Sequence, residues 1–245
     1  MARPSRPPKP GFVPLPSEYW LQFGDDPNPR VHDKLLYLAI EEIAKVGPND
    51  FNSYSICDRI NVTYPMVNHY FGGRNGLVAE AALVVYRRYM TRLHGGVMSA
   101  PANPEDRFRA WVWGQIKWTV DMRGWGAVLN YPDSCQESSR LLRERHGDEM
   151  RDLFEYNMAV LVHLITEVRT GVVSAWPDEF TPEFRAFAVS DPATLSLAGS
   201  IAWSTLGISV WSSGQHVPST AVAEIDTHAN KFMTDHVERL LDSAR

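Results

Sequence analysis

The amino-acid sequence, 245 residues long, predicts an all-α protein. Near the front of the chain, apolar residues recur on one face of a 3.6-residue repeat. These residues are Leu36, Ala39, Ile40 and Ile43. Prolines lie in or near the connections between the later periodic segments, as expected of a residue that has no amide hydrogen to give a helix. No segment alternates apolar and polar residues convincingly, and no internal repeat is present, so helices alone are expected.

Composition and charge narrow the class of protein. The sequence is 44% hydrophobic and 22% charged, which is typical of a globular protein. Its net charge is −5, and residues 1–76 hold eight Lys or Arg and eight Asp or Glu, so the front of the chain is neutral. Any nucleic-acid contact there must depend on a few well-placed groups. The cysteines, Cys57 and Cys135, lie far apart, which argues against a zinc site and fits a reducing cytoplasm.

The first thirty residues read as an arm. They contain eight of the seventeen prolines, which block a continuous helix. The arm carries Arg3, Arg6 and Lys9, which would either follow phosphates or form a solvated tail. Within it, the aromatic patch "SEYWLQFG" is expected to pack on the protein's own body.

No membrane segment is expected. The start of the chain has no uninterrupted apolar stretch of the kind a secretory signal needs. The most apolar segment, 195–211, is shorter than the roughly 20 residues that span a bilayer, so we interpret it as a buried helix. The sequence therefore predicts a cytoplasmic protein with no membrane partner.

Three helices are predicted between residues 33 and 71. The first begins at Asp33 and ends at Gly47, a residue suited to a left-handed stop. The second covers about 53–60, with Asn52 as its cap. Asn61 then suits a left-handed turn, and Thr63 is the predicted cap of the third helix.

The third helix presents two different faces. Pro65 fits its first turn, where the missing amide hydrogen costs nothing. The predicted buried stripe consists of Val67, Tyr70 and Phe71. The outward face consists of Tyr64, Pro65, Met66, Asn68 and His69. Gly72 and Gly73 end this helix, and the sequence thus predicts a polar-aromatic surface directly after a tight turn.

The rest of the chain reads as further helices. Their approximate ranges are 75–94, 104–123, 124–131, 136–146, 148–175, 183–213 and 219–243. Pro192 is a candidate break in the segment 183–213.

The order of helix, short helix, turn and helix is that of a helix-turn-helix motif. The stretches "LLYLAIEEIAKVG" and "SICDRINVTYPMVNHYFGGRNGL" resemble the TetR family of transcriptional regulators, over about Leu35 to Leu77. The resemblance implies an N-terminal three-helix DNA-binding domain and a larger C-terminal helical domain for ligand binding and dimerisation. The implied division is an arm at 1–30, the helix-turn-helix domain at 31–76 and the helical domain at 77–245.

By this resemblance, residues of the third helix contact double-stranded operator DNA. Tyr64, Pro65 and Met66 would reach base edges, and Arg74 would hold a phosphate. The full set of expected DNA-contacting residues is Asn52, Ser53, Thr63, Tyr64, Pro65, Met66, Asn68, His69, Tyr70 and Arg74. For each, the alternative is packing or plain solvation; Tyr70 in particular is also a candidate for the core.

Three positions depart from the family's usual pattern. Asn61 stands where Gly is preferred, Asn68 where Tyr is common, and Gly72-Gly73 replace a basic-polar pair. Because of these departures the resemblance does not predict the operator sequence, and Arg74 is the main cation left at the start of the fourth helix.

Specific binding by one such motif requires two copies on a palindrome, so the resemblance also implies a homodimer. The expected seam is the last two helices, because "LSLAGSIAWSTLGISVW" is apolar nearly all round and contains small residues. The alternative is a core helix of a single subunit.

The resemblance further implies a small-molecule effector, hydrophobic or aromatic, that releases the DNA; no cofactor or metal is expected. Apolar walls with a few polar groups are typical of such sites. An aromatic stripe at helical spacing is equally typical of plain core. The candidate ligand-binding residues are Trp111, Gln115, Trp118, Trp125, Tyr131, Tyr156, Asn157, His163 and Trp203.

Two other functions remain open at this stage. An enzyme would need a nucleophile with a base, or a metal cluster, and only "HGDE" at 146–149 offers ligand-type residues. The second alternative is a helix-turn-helix domain that no longer binds DNA and serves as an interaction module. The prediction is a ligand-responsive regulator, more specifically a repressor, and not an enzyme.

Overall fold

The computed structural model describes residues 12–23, 25–121, 136–212 and 222–245. Over these residues the chain forms helices and no strand, which confirms the predicted all-α class. The described helices are α1 (Ser17–Leu21), α2 (Val31–Asp50), α3 (Ser53–Arg59), α4 (Pro65–Phe71), α5 (Arg74–Met98), α6 (Pro104–Asp121), α7 (Gln136–Thr170), α8 (Pro182–Ser190), α9 (Pro192–Ser212) and α10 (Val222–Ala244). The predicted helix 124–131 lies outside the described residues. None of the described helices is both long and apolar enough to cross a membrane.

Helix boundaries agree with the sequence where local chemistry sets them. Gly47, with φ of 83°, interrupts α2 at the predicted stop, although the helix continues to Asp50. The predicted break in the segment 183–213 is confirmed, because α8 ends at Ser190 and α9 begins at Pro192. Between them the carboxylate of Asp191 accepts hydrogen bonds from the amides of Ala193 and Thr194, at 3.0 and 3.2 Å.

The range of α7 contains two helical segments that meet at a kink, as the predicted helices 136–146 and 148–175 required. The backbone leaves helical geometry inside it at His146, with φ of −136° and ψ of 16°, next to the predicted gap. The helix ends five residues earlier than predicted, because Gly171 adopts a left-handed φ of 71° and its amide bonds back to Glu167 at 2.8 Å.

The chain divides into two compact units. The first comprises residues up to Val85 together with the segment of α7 that ends at His146. The second begins at Tyr86 and resumes at Gly147. The domain boundary expected after residue 76 remains a prediction.

The first unit has a core built on α2. The predicted stripe of Leu36, Ala39, Ile40 and Ile43 is buried, as the period of the sequence required. Fully or almost fully buried partners from the following helices are Ile56, Val67, Phe71 and Leu77. Each such side chain contributes about 1.5–3 kcal/mol relative to exposure, so this core holds the short helices α3 and α4 in place.

The N-terminal aromatic patch packs on this core, as expected. Trp20 and Phe23 are buried, and the ring of Phe23 stacks on Tyr37 with centroids 4.9 Å apart. Tyr19 donates a hydrogen bond to Glu41, and Arg59 donates to both, at 2.9 Å to the Tyr19 hydroxyl and 3.0 Å to the Glu41 carboxylate. Burial, together with the bond to Glu41, raises the pKa of Tyr19 well above its usual range. The cations Arg3, Arg6 and Lys9 lie outside the described residues.

In the second unit α6 is the central helix, and both α9 and α10 pack on it. Phe108, Trp111 and Ile116 of α6 belong to one buried cluster with Leu161 and Ile165 of α7. Buried polar side chains, among them Gln115, Asn157 and Glu167, lie within this interior.

Candidate nucleic-acid interface

The first half of the helix-turn-helix begins with a capped helix. The side chain of Asn52 accepts a hydrogen bond from the amide of Tyr54 at 2.9 Å, which confirms it as the cap of α3. Asn52 is exposed, but Ser53 is buried. The DNA contact expected of Ser53 stays a prediction, and its burial leaves Asn52 as the exposed member of the two.

The turn is tight because Asn61 adopts a left-handed φ of 53°, as predicted. Its neighbour Val62 bonds back to the Cys57 carbonyl through its amide at 2.9 Å. The cap predicted at Thr63 is wrong: Tyr64 occupies the cap position and makes no capping hydrogen bond with its side chain. The amide of Met66 instead bonds to the Thr63 carbonyl at 2.9 Å, so the backbone alone closes this turn.

Helix α4 buries one edge and exposes the other. Val67 and Phe71 are buried, as predicted. Tyr70 was expected in the same stripe, and that expectation is wrong: it is 40% exposed. Tyr70 lies at the edge of the buried stripe. Its ring contacts the ring of His32 edge-on, with centroids 5.6 Å apart, and the rest of the side chain is exposed to solvent.

A continuous polar-aromatic face results. Its members are exposed or half-exposed side chains of α3, the turn and α4. They are Tyr54, Thr63, Tyr64, Pro65, Met66, Asn68, His69 and Tyr70. Between residues 60 and 73 the sequence contains no Lys, Arg, Asp or Glu, so any charge on the α4 part of this face comes from its histidine.

Tyr54 is the member that the sequence analysis missed. It is 62% exposed, and its ring stacks on Tyr64 with centroids 4.4 Å apart and planes 16° from parallel. The sequence holds one usable signal for it. Ser53, Ile56 and Cys57 follow the i, i+3, i+4 spacing of a buried stripe, and Tyr54 falls off that stripe.

Arg74, the cation expected to bind a phosphate, is engaged by the protein itself. Its guanidinium donates to the carbonyls of Phe51, at 3.2 Å, and Asn49, at 3.3 Å. It also lies 5.5 Å from the centre of the Phe51 ring. A phosphate contact by Arg74 remains a prediction, and it would compete with these bonds.

The candidate ligand residues of the second unit fall into two groups. In the first group, the Trp111 indole donates to the Asn157 side chain at 3.1 Å, and both residues are buried. His94, which was not predicted as a ligand residue, also bonds to Asn157. Burial lowers the pKa of His94, and this effect outweighs the bond to Asn157, which raises it. Its Nε2 atom is buried and has no partner among the described residues.

Aromatic pairs lie in the same unit, and one of them includes His94. The ring of His94 meets Tyr156 edge-on at 5.0 Å, and Tyr89 meets Trp118 at 5.7 Å. The Tyr156 hydroxyl donates to the Pro177 carbonyl at 2.7 Å. Gln115 is buried on the same helix as Trp118. Tyr89 and His94 lie on the inner stripe of α5 but were not predicted as ligand residues. A stripe at helical spacing does not distinguish the lining of a ligand site from ordinary core packing.

The second group is a buried ion pair. Arg107 donates to Glu167 at 2.6 Å, and His163 lies 3.2 Å from the same carboxylate oxygen. The amide of Ser174 also donates to it at 2.7 Å, and the Trp176 ring lies 4.7 Å from the Arg107 guanidinium. His163 is thus tied to a structural cluster.

The remaining ligand candidates lie elsewhere. Trp203 is 68% exposed on α9, because Ala198, Ile201 and Thr205 form the face of that helix that is buried. Trp125 and Tyr131 lie outside the described residues.

The acidic and histidine residues of "HGDE" form separate pairs. His146 lies 2.8 Å from Glu80, and Glu149 accepts from Arg87 at 2.5 and 2.7 Å. Within the described part of the chain, no three His, Cys, Asp or Glu residues come close enough to hold a metal ion.

Comparison with solved structures identifies the fold. No family model and no curated protein matches the sequence. Among solved structures, a tetR-family regulatory protein from Rhodococcus RHA1 is similar, with a TM-score of 0.54 and 14% identity over 88% of this chain and 97% of that one.

Two further structures are comparable. A ketosteroid transcriptional regulator, KstR2 of Mycobacterium tuberculosis, has a TM-score of 0.55 and 16% identity over 88% of this chain and 95% of that one. A Rhodococcus sp. RHA1 protein of unknown function has a TM-score of 0.57 and 13% identity over 88% of this chain and 96% of that one. The chain therefore has the fold of the TetR-family transcriptional regulators.

Proposed function

We propose that the protein is a ligand-responsive transcriptional regulator that binds palindromic operator DNA as a homodimer. The observation that carries the proposal is the polar-aromatic face, which follows a left-handed turn at Asn61 and lies uncovered on α3 and α4. Its amide and hydroxyl groups suit hydrogen bonds to base edges and phosphates, and Pro65 and Met66 suit contact with a thymine methyl.

The dimer is proposed to form through α9 and α10. On α9, Trp203 and Leu206 are large apolar side chains left exposed at 68% and 38%. A buried tryptophan is among the most effective anchors of an interface, so a second copy that covers it would gain considerable stability. The dimer would then present two polar-aromatic faces to the two halves of a palindrome.

The effector is proposed to be an uncharged hydrophobic molecule with a hydrogen-bonding group. Support comes from the buried Nε2 atom of His94, which lacks a partner among the described residues and belongs to a cluster of aromatic rings. A buried polar atom of this kind costs stability until it is bonded, so a ligand that bonds it gains affinity. Effector binding is proposed to release the DNA, so the protein would act as a repressor. A regulator of this kind needs no enzymatic activity, and it would work in the cytoplasm, where the DNA is.

One observation favours a second candidate, an interaction module that no longer binds DNA. The stretch 60–73 has no cationic Lys or Arg, and Arg74 bonds the protein's own carbonyls. Affinity for DNA normally draws much of its strength from such cations.

In vitro selection from random duplex DNA decides between the two. We expect the purified protein at low salt to enrich a palindrome whose half-sites lie about one helical turn, or a multiple of it, apart. Failure to enrich any sequence under these conditions would leave the interaction module as the function.

A further inference from the structure

The carboxyl end of α4 is held by a side chain from much later in the sequence. Arg145, on the part of α7 that belongs to the first unit, donates a hydrogen bond from Nη1 to the carbonyl oxygen of Phe71, at 2.9 Å. Phe71 is the last residue of α4, and the carbonyls of a helix's last turn have no partner within the helix. An arginine that bonds such a carbonyl stabilises the end of the helix.

Two glycines make room for this guanidinium. A Cβ atom on Gly76 would lie 1.8 Å from the Phe71 carbonyl oxygen and 2.9 Å from Nη1 of Arg145. A Cβ atom on Gly72 would lie 2.9 Å from Nη2, and that residue also has a left-handed φ of 70°. A side chain at position 76 would collide with the Phe71 carbonyl itself, and one at position 72 would crowd the flexible end of Arg145. Gly72, a departure from the family's usual pattern, has a structural reason in its left-handed φ.

A carboxylate completes the surroundings of Arg145. Oε1 of Glu80 lies 3.8 Å from its Nη1 atom, and the same oxygen lies 2.8 Å from Nε2 of His146. Because the side chain of Arg145 is about one-third exposed, water screens this ion pair and it contributes little. The directed bond to the Phe71 carbonyl is therefore the stronger constraint on α4.

Helix α4 depends on such a constraint. It has seven residues, and it buries only Val67 and Phe71. Helices this short are not stable by themselves, and contacts at their ends decide their orientation. The exposed side chains of Asn68 and His69 lie within one turn of the bonded carbonyl.

We propose that Arg145 is a positioning residue for the polar-aromatic face. Seated between Gly72 and Gly76, it fixes the orientation of α4 through the Phe71 carbonyl and so sets the register of the base contacts. This inference rests on the proposed DNA-binding function. It assigns a role in sequence specificity to a residue that lies outside the helix-turn-helix motif.

Two matched variants test it. Arg145→Met keeps the apolar stem and removes the donor. Arg140→Met removes the same charge from the same helix, where Arg140 pairs only with its neighbours Glu137 and Glu144 among the bonds described. Dissociation constants are measured for the selected palindrome and for a scrambled duplex of the same length.

We expect R145M to bind the palindrome about tenfold or more weakly, the size of one lost base contact. Its affinity for the scrambled duplex should stay within about threefold of that of R140M, because binding without sequence preference follows overall charge. R145K keeps the charge and one donor but not the planar fork, and should give intermediate values.

Hydrogen exchange without DNA provides the second measurement. The amides of residues 66–73 should exchange faster in R145M than in R140M, because the end of α4 is released. If R145M does not fold, R145K compared with R140K carries the same test with a smaller expected effect.

Equal exchange and equal palindrome affinity in R145M and R140M would overturn the proposal. So would an equal loss of affinity for both duplexes, which would mean that Arg145 acts through charge or global stability. If the wild-type protein selects no DNA, the proposed function fails by itself. The exchange measurement would then still decide whether Arg145 orients α4.

Discussion

The two units use the same kinds of side chain in opposite ways. In the first, Tyr54 and Tyr64 stack on each other at 4.4 Å and remain open to solvent. In the second, Trp111 is fully buried and its indole nitrogen bonds to a buried Asn157 at 3.1 Å. Aromatic content therefore does not separate a binding surface from a core.

The difference lies in what covers the rings. The second unit covers rings such as Trp111 and Trp118 with its own helices, although Trp203 and Phe154 stay exposed, and it gives the Trp111 indole an internal partner. The first unit leaves rigid aromatic and amide side chains uncovered on two short helices. Such side chains are enriched where proteins meet a partner, so the first unit is where a macromolecule is expected to bind.

The buried region should show the largest effect of a single substitution. Arg107→Met leaves the buried carboxylate of Glu167 without its 2.6 Å ion pair, so we expect a loss of about 3–5 kcal/mol in the free energy of unfolding. Removal of both partners, in Arg107→Met with Glu167→Met, should recover most of it. Urea denaturation measures both values.

An exposed pair is the matched control for that comparison. Arg151 and Asp148 lie 2.9 Å apart and are largely exposed, so Arg151→Met should cost less than about 1 kcal/mol. Similar losses for R107M and R151M would show that burial does not set the cost of losing an ion pair in the second unit.

The next largest effect concerns the exposed tryptophan of the second unit. Trp203→Glu should weaken the proposed dimer by about 2 kcal/mol or more, or about thirtyfold in its dissociation constant, because it places a charge where an aromatic anchor is expected. Val189→Glu on α8, where the valine is 57% exposed, is the control and should leave the dimer intact. Sedimentation measures both, and equal behaviour would exclude α9 from the interface.

A smaller effect is expected for the stacked pair. Tyr54→Ala removes the ring that supports Tyr64 and should weaken binding to the selected palindrome by about 2- to 10-fold, the equivalent of about 0.5–1.5 kcal/mol for an aromatic pair. Tyr54→Phe retains the stack and should bind more tightly than Y54A. If Y54A binds like the wild type, the pair plays no part in recognition.

The smallest effect is a dependence of stability on pH in the second unit. Burial lowers the pKa of His94, so the folded protein resists a proton that the unfolded chain accepts below about pH 6.5. The contribution of His94 to stability should be complete above that pH and be lost as the pH falls through the lowered pKa. His94→Gln should make the dependence of stability on pH weaker. Some dependence should remain, because burial also lowers the pKa of His236.

Urea midpoints at about pH 7.5 and about pH 5.5 measure this slope. An identical decrease in H94Q and the wild type would mean that His94 does not titrate as described.

Much of the fold could be predicted because it depends on neighbours in the sequence. The stripe of α2, the left-handed turn at Asn61 and the break before Pro192 each follow from the chemistry of a few adjacent residues. The cap predicted at Thr63 and the burial predicted for Tyr70 were wrong, because both lie at edges where distant packing decides.

The parts of the site that could not be predicted depend on distant contacts. Arg74 bonds a carbonyl 25 positions earlier in the chain, and Arg145 bonds one 74 positions earlier. Tyr54 meets Tyr64 only because the turn folds α3 and α4 together. No local pattern encodes these pairings, so a sequence interpretation names the right helix but not the groups that hold it.

The most direct test of the central claim is the affinity of the selected palindrome for the double variant Tyr64→Ala, Asn68→Ala. Fluorescence anisotropy should give a loss of about 100-fold relative to the wild type, since a base contact by Tyr64 contributes about 1–3 kcal/mol and Asn68 is expected to add a contact to the DNA backbone. Phe154→Ala, which removes an exposed ring from the second unit, should change affinity by less than about threefold. If the double variant binds as tightly as F154A, the polar-aromatic face does not read DNA and the account is contradicted.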